Sequence, residues 1–194
     1  MQDLASRKAF SELLSLLREA DERYLGPEWG LESADDVAGG FRSLMHVLQG
    51  ALFSHFEEET SHPHFRRIVS PTRKFTGDNA DAIYYEAAID PNLAYRVSGR
   101  TCGAIYTSLT LEAGTQDGAF GTHTAGVIND EQFDVGSDGR FEVILGGPHR
   151  ADNWLELPPE ANRITTRHYF ENETHAANDP DLSIPLKIET LEPQ

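Results

Sequence analysis

KFTGDNADAIYYEAAID, Lys74–Asp90, is where the chain changes character. Apart from Phe75, residues 74–82 are polar, Gly or Ala without periodicity, and they read as a loop. Ile83, Tyr85, Ala87 and Ile89 then alternate with Tyr84, Glu86, Ala88 and Asp90, the signature of a strand with one apolar face. Before this stretch the pattern is helical; after it the pattern is β. Asp78, Asn79, Asp81, Tyr84 and Tyr85 cluster at the junction, which makes the loop the first candidate site.

Upstream, Leu4, Phe10, Leu13, Leu14, Leu17 and Ala20 recur at helical spacing, with Asp3 as the expected N-cap and Gly26-Pro27 as the stop. Ser33 and Asp36 form a capping-box pattern for a second helix over about 34–58. Val37, Phe41, Leu44, Leu48, Ala51 and Leu52 should be its buried stripe. Downstream, strands are expected at 83–90, 94–100, 104–112, 120–127, 132–135, 140–146, 163–170 and 182–188. Ser137-Asp138-Gly139 is a hairpin turn, and Pro185 marks an edge or bulge. The reading is an α+β fold: a helical hairpin (residues 1–64) packed on an antiparallel β-sandwich of jelly-roll type (65–194).

Composition narrows the function classes. The 194 residues carry 32 acids against 16 bases, a formal net charge of −16. That surface repels phosphate backbones and anionic membranes, so neither nucleic acid nor membrane is expected as partner. The single Cys102 excludes an internal disulfide and suits a reducing compartment. The first residues lack a signal-peptide pattern, and the expected location is cytoplasmic. His55, His62 and His64 lie among glutamates in HFEEETSHPHF, but the spacing matches no ligand motif; no metal and no cofactor are expected. Walker, dinucleotide and nucleophile-elbow motifs do not occur.

Two further pieces carry polar residues in patterns of interest. In 163–170, Arg163, Thr165, Arg167 and Tyr169 share one strand face. An arginine on a buried face needs a carboxylate, and Asp78 or Asp81 is the expected partner of Arg167. Asn153-Trp154-Leu155 with Leu157-Pro158-Pro159 reads as a rigid capping loop.

Together these pieces resemble the bacterial domain-of-unknown-function family twelve-fourteen. The matching residues are Gly77, Asp78, Asn79, Asp81, Tyr84 and Tyr85, then Asn153, Trp154, Leu155, Leu157, Pro158, Pro159, Arg167 and Tyr169, across roughly 65–191. Ala80 stands where Pro is common. The resemblance implies a jelly-roll sandwich, with the helices as the extension of single-domain members. It implies no reaction.

The expected function is cofactor-independent acid–base chemistry of lyase, isomerase or cyclase type on a hydrophobic oxygenated metabolite such as a terpenoid, steroid or acyl derivative. Asp78, Asp81, Tyr84, Tyr85 and Arg167 are the candidate catalytic residues; Asn79, Tyr106, Trp154 and Tyr169 are the candidate substrate contacts. Two alternatives stay open: a non-catalytic binding protein for the same ligands, and a structural or assembly module. A small hydrophobic molecule is the expected partner, with self-association as a further option.

Overall fold

The structure is a computed structural model and describes residues 4–57, 59–74, 77–114 and 123–191. Two long helices come first, α1 (Ala5–Tyr24) and α2 (Ala34–Phe56), separated by a 3-10 turn at Pro27–Trp29. Among the described residues nine strands follow: β1 (Arg66–Arg67), β2 (Ala82–Ala88), β3 (Ala94–Arg100), β4 (Tyr106–Ala113), β5 (His123–Asn129), β6 (Arg140–Leu145), β7 (Trp154–Leu155), β8 (Ala161–Tyr169) and β9 (Leu186–Leu191). The chain is α+β, with a core dominated by sheet.

Two compact units divide at Met1–Gln49 and Gly50–Gln194, inside α2. In the first, Gly26-Pro27 ends α1. The Ser33 hydroxyl donates to Asp36 Oδ2 (2.7 Å) and accepts from the Asp36 amide (3.1 Å), the capping box read in the sequence. Asp3 lies outside the described residues. The expected buried stripe of α2 is not buried: Val37, Leu44 and Leu48 are half-buried, and Phe41 and Leu52 are exposed. Helical spacing reveals an apolar face, but it does not reveal whether anything covers that face.

The second unit holds a sandwich. One sheet runs β1-β2-β8-β4-β5, the other β7-β6-β3-β9. Every pairing is antiparallel except β6 with β7, which is parallel. The chain crosses between the sheets after β2, β3, β5, β7 and β8, as in a jelly roll. Alternation explains the core: Ala87, Leu109, Leu111 and Ile164 face Tyr95, Val97, Val143 and Leu145 across the interior, each 2% exposed or less. Gly139 at φ 80° makes the turn into β6, as its position in Ser-Asp-Gly predicts. The strand expected at 132–135 is instead an irregular segment with one bridge, Val135 to Phe141. The last strand starts only after Pro185, because proline cannot donate to a ladder.

His168 lies on the inner face of β8, 0% exposed, with its ring nitrogens 3.4 Å from Thr107 Oγ1 and 3.0 Å from Thr166 Oγ1. Burial pushes its pKa down to about 4. The unfolded chain, at about 6.5, therefore takes up the proton first as pH falls. Stability contributed by neutral His168 is complete above about pH 6.5 and is lost on descending to about pH 4, roughly 3 kcal/mol in all. Urea titrations of wild type and His168→Gln across that window should show the wild type losing stability faster. Parallel curves would contradict the assignment.

Candidate functional site

The register of β2 against β8 decides which candidate residues meet. Tyr84 lies opposite Arg167, and Ala82 opposite Tyr169; in β4, Tyr106 lies opposite Tyr169 and Ser108 opposite Arg167. Tyr84, Tyr106, Arg167 and Tyr169 thus share the outer face of the five-stranded sheet. The Tyr169 ring meets Tyr106 at 5.8 Å and Tyr84 at 6.4 Å, both edge to face. Burial, then a hydrogen bond with Tyr169, pushes the Tyr84 phenol up to about 12. At neutral pH this hydroxyl is protonated and can donate or accept a hydrogen bond, but it is no base.

Arg167 does not pair with Asp78 or Asp81. Its guanidinium donates to Thr110 Oγ1 (2.6 Å) and to Glu112 Oε1 (3.3 Å). Asp78 bonds Lys74 Nζ at 3.1 Å, and Asp81 bonds the His175 ring at 2.7 Å. Asn79 Oδ1 accepts from the Asp81 amide at 2.8 Å, an Asx turn. At the end of β8, the Phe170 amide donates to the Asp81 backbone carbonyl. The three acidic or amide side chains of the loop are therefore engaged by Lys74, by His175 and by the loop's own backbone. Tyr85 points the other way, as alternation requires: its hydroxyl accepts from the Ile184 amide (3.2 Å) in a buried cluster with Ile83 and Phe170.

Trp154 is far from these residues in topology, on β7 of the other sheet. Its indole donates to the Gly146 carbonyl at 2.8 Å and its ring lies 4.8 Å from His149. Asn153 before it adopts φ 53°, a left-handed conformation that asparagine tolerates, and bonds Asp134 through both side-chain atoms. The Asn-Trp-Leu element holds a turn and contributes a short strand, more than the capping loop its sequence suggests.

A stronger ion pair was invisible to motif reading. Glu86, 7% exposed on β2, accepts from Arg163 Nη1 (2.8 Å) and from the Ser54 hydroxyl (2.8 Å). Arg163 Nη2 also donates to the Ser54 carbonyl at 3.0 Å. The last turns of α2 are thereby fastened to the outer face of the five-stranded sheet. Strand alternation puts Glu86 and Arg163 on outward faces, but only the pairing register makes them neighbours.

A cavity of about 480 Å³ opens at one end of the four-stranded sheet. Its floor is Ala94, Ile144 and Leu191, one residue from each of three strands. Pro91, Asn92 and Leu93 form one wall, and Gly146, Gly147 and Pro148 the other. Gly146 and Gly147 both have positive φ, 67° and 66°, and a Cβ on Gly147 would come within 3.2 Å of the Ala94 Cβ. Two glycines in succession let this wall fold tightly onto the floor. Among the described residues, Arg96 and Arg150 are the only charged residues in the lining. The available signal was the run Leu145-Gly146-Gly147-Pro148, which lacks the helix that a phosphate loop needs. Among the described residues no group of three His, Cys, Asp or Glu side chains is arranged to hold a metal ion.

No family model and no curated protein matches the chain. A solved structure of an uncharacterised protein from Burkholderia cenocepacia is similar, with TM-score 0.76 and 27% identity, over 96% of this chain and 50% of that one. The chain spans half the length of that protein. The VPA0106 protein from Vibrio parahaemolyticus is less similar, with TM-score 0.42 and 16% identity, over 58% of this chain and 31% of its own.

The two arginines of β8 should separate on mutation. Arg163→Ala removes the hydrogen-bonded partner of buried Glu86, leaving the charge of Arg66 opposite it in register, and should cost about 3 kcal/mol. The Arg167–Glu112 pair has side chains 33% and 22% exposed, so Arg167→Ala should cost only about 1 kcal/mol. Equilibrium denaturation of both variants checks this order; the reverse order would contradict it.

Proposed function

We propose that this chain is a non-catalytic binding protein for a small hydrophobic oxygenated molecule, and that the cavity over Ala94, Ile144 and Leu191 takes the ligand. The observation that carries the reading is the cavity itself. At about 480 Å³ it has the size of small-molecule sites, which are apolar with a few polar groups to fix orientation. The arrangement of the carboxylates around the tyrosine face and its loop speaks against the acid–base alternative. Asp78 is bonded to Lys74, Asp81 to His175 and Glu112 to Arg167, so each has a partner other than a substrate. Nor is Tyr84, with its phenol pushed up to about 12, suited to take a proton at neutral pH. Kinship with the domain-of-unknown-function family twelve-fourteen belongs to this proposal and adds no reaction to it.

The test is a thermal-shift panel of terpenoid alcohols, steroids and medium-chain acyl compounds, run on wild type and Leu191→Trp. Leu191 is half-buried at the end of β9, so an indole there can fill the cavity without entering the sandwich core. Wild type should be stabilised by some of the panel, by about 2–3 kcal/mol at a hundred times Kd. Leu191→Trp should fold and lose that response. No response from any compound, an undiminished response in Leu191→Trp, or conversion of a bound compound to product would contradict the proposal.

A further inference from the structure

We infer that the ligand of this cavity is an amphipathic anion, a carboxylate on an apolar body, with Arg96 and Arg150 holding the carboxylate. The inference rests on the binding role proposed above and adds the ligand's charge. The first ground is the lining: among the described residues, an apolar floor with two arginines and no acid. In a chain with twice as many acids as bases, a pocket whose charged residues are both cationic departs from the rest of the surface.

The second ground is what the arginines already bind. Arg96 engages Glu142 through Nε at 3.2 Å, and both side chains are about half exposed. Its two terminal nitrogens have no partner among the described residues. The other acid facing it, Glu189 in register on β9, is held by Lys187 at 2.6 Å. At the rim, Asp90 is occupied by the Asn92 amide and side chain within its own turn. Arg150 is exposed and has no ion pair among the described residues. A guanidinium offers planar, paired donors that match a carboxylate. The apolar part of such a ligand would cover Ala94, Ile144 and Leu191, while its head meets the arginines at the mouth. A free inorganic anion would satisfy the arginines but leave that floor uncovered.

Titration calorimetry with octanoate, octan-1-ol and inorganic phosphate separates these ideas. Wild type should bind octanoate at least tenfold more tightly than octan-1-ol, the factor expected for charge-assisted hydrogen bonds, and phosphate far more weakly than octanoate. Arg150→Gln should erode the preference. Arg96→Gln/Arg150→Gln should abolish it while octan-1-ol binding stays unchanged. Arg100→Gln, on the same face outside the cavity, should have no effect. Both cavity arginines are at the surface, and melting temperatures of the variants confirm that they fold; Arg150→Glu, a second route, should reverse the preference. Equal binding of acid and alcohol, blocked in Leu191→Trp, would overturn the inference and leave the binding role standing. Failure of both ligands to bind would overturn both. Octanoate preference that survives loss of the two arginines, or phosphate binding as tight as octanoate, would overturn the inference.

Discussion

The pairing of β2 with β8 is the constraint on which the rest of the molecule depends. Strand side chains alternate between faces, so one register fixes two neighbourhoods at once. With Tyr84 opposite Arg167 and Ala88 opposite Arg163, the inner face receives Ile83, Tyr85, Ala87, Ile164, Thr166 and His168. The outer face receives Tyr84, Glu86, Arg163, Thr165, Arg167 and Tyr169. A slip of one residue would bury Arg163 and Arg167 in the sandwich and expose Ile164 and His168. The Glu86–Arg163 pair reinforces the same register from outside, since it forms only when these two strands are aligned in this way. Because both charges are nearly buried, losing one is far more costly than the pair's net contribution to stability.

That division of faces also sorts the polar residues by task. On the outer face of the five-stranded sheet, the described charges are satisfied by one another or by α2, and the tyrosines pack edge to face. Across the molecule, the cavity on the four-stranded sheet has guanidinium groups with donors to spare. A surface that has completed its hydrogen bonds is structural; one that has not is where a ligand gains most. This contrast, and not the density of polar residues, separates scaffold from candidate site here.

Much of the fold was legible in the sequence. The alternation of 83–90, 94–100 and 140–146 gave strands close to those observed, and Ser33 with Asp36 gave the cap. The burial of α2 was not legible, because the spacing of Val37, Leu44 and Leu48 describes a face and not its cover. The candidate site was legible only in part. Tyr84, Tyr106, Arg167 and Tyr169 do meet, since strand alternation puts each on an outward face and the register brings them together. The partners of Arg167 were not readable: Glu112 and Thr110 come from β4, and nothing local in 163–170 announces which strand lies alongside. The cavity was missed because its lining comes from four separate stretches, 91–96, Ile144, 146–150 and Leu191, each unremarkable alone.

Mapping of backbone amide shifts during titration with octanoate tests the central claim most directly. The account predicts that the largest, saturable changes fall on Leu93, Ala94, Arg96, Gly146, Gly147 and Leu191, with Tyr84, Arg167 and Tyr169 undisturbed. Changes centred on the tyrosine face of β2, β8 and β4, or no saturable change anywhere, would contradict it.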